Sequence, residues 1–327
     1  MQTSSSNPLP GSPSLLDDEP VRLTQLEKLE EGSTSHHFLK NKPEPIAYDG
    51  FEPSGRMHIA QGVTKAINVN KLTDAGCRVK ILVADVFAKL NKKMCGDMEK
   101  IRDVGKYFIE IWKVVGLKFF DKVEFVWASD VINSRASEYS ELVLDIACTF
   151  NVPRVKRKVN MLAREYWNII EKRENRPILL SHRTNNPIIL SHHMLPGLKK
   201  GQAKMSKSDD SSAIFMEDEQ SDQVNEKIKM AHCPPGIVEG NPCLEYIKHI
   251  IFPWFQETFE NFDDLITDYK SKNLHPSDLK PALTRALNRI LKPVQDHFNS
   301  DSEAKALLEK VKTKLSKYVL VFCSATM

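Results

Sequence analysis

Hydrophobic and polar positions in the first half of the chain switch repeatedly between strand spacing and helix spacing. A short apolar segment, Ile46-Ala47-Tyr48, leads into a turn-rich stretch at 50–55, and a helical pattern runs from His58 to Gly76. The same alternation predicts a buried strand, a helix, a strand and a helix over 79–84, 97–115, 123–127 and 134–150. Strands that alternate with helices predict an α/β fold with a doubly wound, Rossmann-like parallel sheet.

The second half of the chain carries mainly helical patterns. A basic helix is predicted over 154–173. Further helices are predicted over 217–231, 242–260, 278–298 and 301–317. We therefore expect a catalytic α/β domain over 21–214, opening with a helix at 22–40, and an all-α domain over 215–327.

Composition and charge exclude several classes of protein. Apolar residues make up 41% of the chain and the net charge is only +3, as in ordinary globular proteins. No apolar run approaches the length of a membrane span. Residues 1–20 are rich in Ser and Pro and lack the features of a signal or transit peptide, so we expect a disordered leader on a cytoplasmic protein.

The cysteines and histidines predict neither a disulfide framework nor a metal site. The six cysteines form no C-x-x-C pair, and Cys233 and Cys243 are interpreted as structural thiols. No cysteine or carboxylate stands at ligand spacing beside His36-His37 or His192-His193. Solvated loop histidines are therefore the simpler interpretation.

The turn at 50–55 and the helix after it suit phosphate binding. Glycines let the backbone approach a ligand, and a helix start offers unpaired N–H groups and a positive dipole end. The spacing is neither the G-x-G-x-x-G of dinucleotide sites nor a Walker A loop. The alternative is a tight strand-to-helix turn with a capping role. The candidate residues here are Gly50, Pro53, Ser54, Gly55 and His58.

A second candidate for phosphate binding is the loop Lys204-Met205-Ser206-Lys207-Ser208. Two lysines three residues apart can place two ammonium groups on one polyphosphate and stabilise the charge on a leaving pyrophosphate. A lone lysine-rich loop is usually a solvated surface. This pentapeptide, however, matches the KMSKS signature of class I aminoacyl-tRNA synthetases at every position, and His58-Ile59-Ala60-Gln61 resembles a degenerate form of their HIGH signature.

Longer segments resemble the tyrosyl-tRNA synthetases of archaea and of the eukaryotic cytoplasm. They are Tyr48–Gly55 (YDGFEPSG), Val83–Asp85 (VAD), Val159–Tyr166 (VNMLAREY), Cys233–Tyr246 (CPPGIVEGNPCLEY) and Leu274–Lys280 (LHPSDLK). The resemblance covers about 44–300. It implies a tyrosine–tRNA ligase that uses ATP and Mg²⁺, charges tRNA(Tyr) with L-tyrosine, binds the anticodon arm with its helical domain and forms a homodimer.

The resemblance also implies a role for each matching residue. His58, Lys204 and Lys207 would be catalytic. The residues that would contact ATP are Gly50, Phe51, Pro53, Ser54, Gly55, His58, Gln61, Met205, Ser206 and Ser208. Tyr48 would hydrogen-bond the phenolic oxygen of tyrosine, with Ala84 and Phe87 near the ring.

The chain departs from the family pattern at three places. A segment that carries a Tyr-x-x-x-Gln-x-x-Asp motif, which holds the substrate tyrosine, is missing between Phe150 and Lys158. A shorter loss lies between Phe259 and Phe262, and PILLSH at 177–182 is nearly repeated as PIILSH at 187–192. Losing an interior strand or helix of a sheet is expected to expose apolar faces and unpaired backbone groups.

Three alternative functions follow from these departures and from the shared motifs. The first is a catalytically impaired relative or truncated isoform that binds only ATP or tRNA. The second is specificity for tryptophan, because tryptophanyl enzymes share the fold. The third is a non-synthetase nucleotidyltransferase, which the long helical half with its tyrosyl-like sequence disfavours.

Overall fold

Three parallel strands form a sheet at the start of the described chain. The computed structural model describes residues 44–117, 122–151, 162, 165–166, 168–170, 193–207, 209–218, 223–255 and 262–324, with 314–324 as backbone alone. Strands β1 (Ile46–Phe51), β2 (Arg78–Val83) and β3 (Val123–Trp127) lie in the order β1-β2-β3. Phe51 is opposite Val83, and Val83 is opposite Trp127, so the carboxyl ends of the strands meet at one edge.

Helices connect the strands, as the hydrophobic pattern predicts. Helix α1 (Ile59–Asp74) joins β1 to β2 and ends just before Gly76, whose φ of 86° is readily adopted only by glycine. Helix α2 (Asp85–Leu90), which the pattern did not predict, and helix α3 (Met98–Val114) join β2 to β3. The side chain of Asp97 accepts hydrogen bonds from the first turn of α3, which fixes where that helix begins.

Only one face of this sheet is covered by described residues. Alternate side chains of β2, Val79, Ile81 and Val83, are buried against the helices. On the opposite face Ile46 and Tyr48 of β1 are 63% and 60% exposed. The parallel Rossmann-like sheet is confirmed. Double winding requires helices on both faces of the sheet, and this is not seen within the described ranges. Strands in sequential order with right-handed crossovers place their connecting helices on the same face.

Two helices follow β3 directly. Helix α4 (Ala128–Ser134), a second helix that the pattern missed, is followed by α5 (Ala136–Thr149), which falls within the helix predicted over 134–150. No residue of α5 is buried, although Leu142, Val143 and Leu144 form an apolar run along it. These exposed positions agree with the expectation that an apolar face loses its partner near the missing segment.

The second half is helical, with corrected boundaries. Within the described part of the helix predicted over 217–231, the α-helix is α6 (Asn225–Met230), while Glu217 and Asp218 turn inward to make ion pairs. Helix α7 (Pro242–Tyr246) continues through a π-helical turn, Ile247–Ile251, into α8 (Phe252–Trp254). Then follow α9 (Phe262–Lys270), also unpredicted, α10 (Pro276–Ser300) and α11 (Ser302–Ser324).

One continuous hydrophobic core joins the two halves of the described chain. The ring of Phe298 on α10 lies 5.7 Å from that of Tyr107 on α3, and His297 pairs with Glu110 at 3.1 Å. The proposed division at 214/215 therefore runs through a shared core and stays a prediction. The predicted leader 1–20, the helix at 22–40, most of the basic helix 154–173 and the repeat at 177–192 lie outside the described residues.

None of the helices in the described ranges combines the length and the apolar character that a membrane span requires.

The contact between α3 and β3 depends on a glycine. A β-carbon added at Gly105 would lie 2.6 Å from the Trp127 ring and 3.1 Å from Val83. We expect Gly105→Val to destabilise the fold by about 2 kcal/mol, because overpacking forces a rigid indole to shift. Urea denaturation would measure this change. The exposed neighbour Lys106→Ala is the control, and equal denaturation midpoints for both variants would contradict the prediction.

Candidate active site

A short backbone bridge joins the two motif-bearing segments. His58 pairs with Phe215 in an isolated antiparallel bridge. The Ile59 N–H donates to the Ile214 carbonyl at 2.9 Å, and the Met216 N–H donates to the Met57 carbonyl at 2.9 Å. The start of α1 and the segment after the lysine-rich loop are therefore neighbours, although more than 150 residues separate them in sequence.

Arg56 holds these two segments together with its charge. Its guanidinium donates to Glu217 at 2.6 Å, to Asp218 at 2.7 Å and to Asp210 at 3.0 Å. It also lies over the Phe215 ring, 4.0 Å from the ring centroid. Since the Glu217 and Asp218 side chains are only 2% and 0% exposed, these carboxylates depend on protein partners instead of water.

Two further side chains complete this network. The Tyr107 hydroxyl donates to Glu217 at 2.6 Å, and the Lys227 ammonium lies 2.6 Å from Asp218. Burial and the charge of Glu217 raise the pKa of Tyr107, so it stays a neutral donor. Sequence reasoning missed Arg56, Tyr107, Glu217, Asp218 and Lys227. The available signal was an acidic pair immediately after the apolar run 213–216, where a solvated acid is unusual.

The first turns of α1 present unsatisfied polar atoms. His58 Nδ1, Gln61 Oε1 and Thr64 Oγ1 are buried and have no hydrogen-bond partner among the described residues. They recur every three residues along the helix, which brings them towards one face. Because buried polar groups are normally paired, these atoms point to a polar ligand at the helix start.

Lys207 reaches this helix start from the lysine-rich loop. Its Nζ lies 3.1 Å from Ser54 Oγ and 5.0 Å from the centroid of the Phe108 ring. Burial, opposed by the charge of Glu52, lowers the pKa of Lys207 to about 7. Burial and the nearby Lys207 lower the pKa of His58 to about 4, so its imidazole is neutral at neutral pH.

The turn at 50–55 brings its backbone close to the same place. Gly55 has a φ of 126°, which an L side chain rarely adopts, and Pro53 is buried. The Phe51 side chain packs in the core against Phe108 and Trp112, so any contact of Phe51 with a ligand would be through its backbone.

The rest of the lysine-rich loop is open to solvent at one end and anchored at the other. Lys204 is exposed, Met205 is buried and Ser206 is half-buried. Lys199 and Asp209 close the base of the loop with an ion pair at 2.7 Å. Ser208 lies outside the described residues.

The three candidate tyrosine-binding residues share the open face and the carboxyl edge of the sheet. The Tyr48 hydroxyl lies over Gly50, where an added β-carbon would be 3.2 Å away. Ala84 follows β2 and its N–H donates to the Phe51 carbonyl at 2.9 Å. Phe87 on α2 is 49% exposed. The expectation of a buried polar tip is wrong for Tyr48, which is 60% exposed because no described residue covers that face.

Comparison with known proteins places this geometry in a family. A family model described as tRNA synthetases class I (W and Y) matches residues 40–165 and 156–292. The cytoplasmic tyrosine–tRNA ligase 1 of Arabidopsis thaliana is 51% identical over 332 residues, which covers 84% of this chain and 83% of the relative.

The chain belongs to the tyrosyl-tRNA synthetases.

Two longer tyrosyl-tRNA synthetases are similar over part of their length. The cytoplasmic tyrosine–tRNA ligase 2 of Arabidopsis thaliana is 49% identical over 345 residues, which covers 88% of this chain and 44% of that relative. The Leishmania major tyrosyl-tRNA synthetase in complex with tyrosinol superposes with a TM-score of 0.81 at 37% identity, which covers 90% of this chain and 52% of the other. The chain thus spans about half the length of these two synthetases.

The alignments also support an internal loss relative to other tyrosyl-tRNA synthetases. An aligned span of 345 positions is longer than the whole chain of 327 residues, so the relative contains positions with no counterpart here. The family model matches in two pieces that overlap at 156–165, next to the junction between Phe150 and Lys158. Both observations agree with a segment missing at that junction, which lies largely outside the described residues.

One sequence interpretation needs correction in this synthetase. The sequence predicts that His193 is a solvated loop histidine with no carboxylate at ligand spacing beside it, and His193 is indeed exposed. Its Nε2 nevertheless lies 2.7 Å from Glu245, and its ring stacks on that of His249 at 4.1 Å. The three side chains could group around an ion, but rings only 13° from parallel do not direct two lone pairs at one position.

The buried carboxylates make Arg56 a test of the synthetase's assembly. We expect Arg56→Ala to destabilise the fold by about 3–5 kcal/mol, because buried Glu217 and Asp218 would lose a charged partner. Arg56→Lys should recover only part of this loss, since one ammonium cannot replace three guanidinium contacts. Thermal and urea denaturation at neutral pH would measure both variants.

The control for Arg56 is Arg135→Ala, which breaks an exposed ion pair with Glu138 and should cause no measurable change. Equal stability of the Arg56→Ala and Arg135→Ala variants would contradict a structural role for Arg56.

Proposed function

We propose that this chain activates L-tyrosine with ATP and transfers it to tRNA(Tyr). The observation that carries the proposal is the 3.1 Å contact between Lys207 of the KMSKS loop and Ser54 of the turn before α1. It brings a cation, a helix start and a glycine-bearing turn to one place, which is the arrangement that a polyphosphate requires.

The proposed first step is adenylate formation. The tyrosine carboxylate attacks the α-phosphate of ATP in line, and pyrophosphate leaves. Lys207 and Lys204 would stabilise the charge that develops on the leaving pyrophosphate. His58, which is neutral because burial and Lys207 depress its pKa, would donate an N–H hydrogen bond to a phosphate oxygen instead of contributing charge. The terminal ribose hydroxyl of tRNA then attacks the mixed anhydride.

Further contacts with ATP are proposed for the backbone of Gly50, Phe51, Pro53 and Gly55 and for Gln61, Met205, Ser206 and Ser208. Mg²⁺ would neutralise phosphate charge in this reaction. A site with a single protein carboxylate suits an ion that keeps most of its phosphate and water ligands, as Mg²⁺ usually does. Glu52, whose charge acts on Lys207, is the carboxylate that would hold it.

Tyrosine recognition is proposed for Tyr48, with Ala84 and Phe87 beside the ring. Burial of part of the ring and the charge of Asp49 raise the pKa of Tyr48, so its phenol stays protonated and can hydrogen-bond another phenol. A site that bonds a substrate hydroxyl can reject phenylalanine, because its own polar group would otherwise be unpaired.

The remaining assignments extend the family relationship to this chain. The two Arabidopsis relatives are named cytoplasmic, and we propose the same compartment here. We also propose that the helices after residue 215 bind the anticodon arm and that two chains form a homodimer. The relatives matched at about half identity are tyrosyl enzymes, which favours tyrosine over tryptophan.

A second candidate is a relative that binds ATP or tRNA without activating tyrosine. The exposure of Tyr48 and the internal loss next to Phe150 favour it, because the phosphate end of the site is assembled while the amino-acid end is open. The two candidates differ in one step, tyrosine activation.

Tyrosine-dependent exchange of pyrophosphate into ATP distinguishes the two candidates. For an active enzyme we expect exchange that falls at least about 100-fold in Lys207→Ala, since removing one preorganised stabilising group typically costs that much. Lys200→Ala, in the same loop but exposed, is the matched control and should retain full exchange. ATP binding without exchange by cooperatively folded protein would contradict tyrosine activation and support the second candidate.

The depressed pKa of Lys207 predicts that ATP binding takes up a proton. In the free protein Lys207 loses its proton above about pH 7, whereas bound phosphates favour the charged form. ATP affinity should therefore fall by up to about tenfold per pH unit above 7. Calorimetry in buffers of different ionisation enthalpy would measure the proton uptake.

The control for this pH dependence is Lys207→Arg, whose guanidinium stays charged. The ATP affinity of this variant should change with pH only as far as the titration of ATP itself causes. The same pH profile in both proteins would contradict the assignment to Lys207.

A further inference from the structure

His193, Glu245 and His249 bring three metal-ligating side chains together from two segments of the chain. The Nε2 atoms of His193 and His249 lie 2.7 Å and 3.5 Å from Oε2 of Glu245, and one ligand atom of each residue lies within 4.8 Å of the other two. We call these residues the His–Glu–His cluster. Two imidazoles and a carboxylate are a ligand set that Zn²⁺ takes in proteins, with water in the fourth position.

The Glu245 oxygen at the centre of this cluster has no hydrogen bond among the described residues. Its Oε2 atom is buried, and His193 approaches it closely without the alignment that a hydrogen bond requires. A protonated histidine that simply neutralised Glu245 would point its N–H at the oxygen. Since buried polar atoms are normally paired, this oxygen points to a positively charged ligand.

Contacts outside the cluster hold the backbone of His193 near α7. Leu195, two residues further along the chain, is buried in the core. The carbonyl of Pro196 accepts a hydrogen bond from the hydroxyl of Tyr246, which is 3.0 Å away. Because Tyr246 directly follows Glu245 in α7, the distance between the two segments is fixed without any help from the cluster itself.

Glu245 and His249 are neighbours on the helix that begins with α7. His249 lies in the π-helical turn Ile247–Ile251, where Ile250 is buried. Such turns are rare and are often found at functional sites. Burial and the neighbouring His193, opposed by the charge of Glu245, lower the pKa of His249 to about 4. Its imidazole is therefore neutral at neutral pH, which is the form that binds a metal ion.

One imidazole must turn before both can bind the same ion. The two rings stack at 4.1 Å and lie 13° from parallel, so their lone pairs do not converge. The His193 side chain is 48% exposed, and the torsion about its Cβ–Cγ bond is soft. We expect binding to turn the ring of His193 away from this stack while Glu245 and His249 stay in place.

We propose that His193, Glu245 and His249 bind one Zn²⁺ ion, with a water molecule as its fourth ligand. Imidazole ligands suit Zn²⁺, whereas Mg²⁺ prefers oxygen ligands, so this site differs from that of the Mg²⁺ proposed for the reaction with ATP. His193 lies on the segment that leads into the KMSKS loop, and the other two ligands lie on the helix that begins with α7. The ion would therefore join the stem of that loop to this helix, whether or not the chain activates tyrosine.

Zinc binding to the metal-free full chain tests the proposal without relying on enzyme activity. We expect one Zn²⁺ per chain in a competition titration against a chromophoric chelator. His193→Gln and His249→Gln should each weaken binding by more than about 100-fold, since even losing an outer partner of a metal ligand costs up to about that factor. Urea denaturation without zinc would show that both variants are folded, and the exposed position of His193 makes its variant the safer of the two.

The matched control is His297→Gln, which should keep the wild-type affinity. His297 also pairs with a carboxylate, Glu110 at 3.1 Å, but belongs to no group of three metal-ligating side chains in the described part of the chain.

Co²⁺ in place of Zn²⁺ identifies the ligands. Nitrogen and oxygen ligands should give visible d–d bands without the near-ultraviolet band of a cobalt–thiolate bond. The proposal is overturned if no Zn²⁺ binds, if His193→Gln and His249→Gln bind Zn²⁺ as tightly as the wild type, or if the thiolate band appears.

Discussion

The burial of two carboxylates, Glu217 and Asp218, is the constraint on which the assembled site depends. Each charge is far too costly to bury alone, and Arg56, on the segment that leads into α1, pairs with both. Arg56 lies three residues before Ile59, the first residue of α1, and the carboxylates lie nine and ten residues after Ser208, the last residue of the KMSKS motif. The ion pairs of Arg56 thereby hold the two elements of the proposed phosphate site against each other, and the backbone bridge at His58 and Phe215 fixes their register.

This arrangement has a chemical consequence at Lys207. A lysine held against Ser54 and the Phe108 ring is partly desolvated before any ligand binds, which is why its pKa is depressed. The same desolvation would strengthen the proposed interaction of Lys207 with phosphate, because an ammonium away from water is weakly screened. His58 is kept neutral by the same environment, so charge and hydrogen bonding are divided between two residues.

Sequence periodicity predicted the strands and the longer helices but not the contacts between them. The β3 bounds and the α1 and α3 helices follow from local apolar spacing, and the paired motifs indicated one phosphate site. The short helices α2, α4 and α9 were missed because six to nine residues carry too little periodicity. Arg56 with Glu217 and His193 with Glu245 are tertiary pairs. No spacing rule relates their positions, and only the folded chain brings them together.

The uncovered face of the sheet separates the two ends of the site. A parallel sheet is normally covered on both faces, yet here Ile46 and Tyr48 are exposed and α5 has no buried residue among those described. The phosphate end does not need that cover, because its residues are supported by α3 and the segment 209–218 on the other side. Tyrosine binding does need it, since a phenol is discriminated only in a dry pocket. We therefore expect tyrosine activation to require a cover over Tyr48 that the proposed phosphate site does not need.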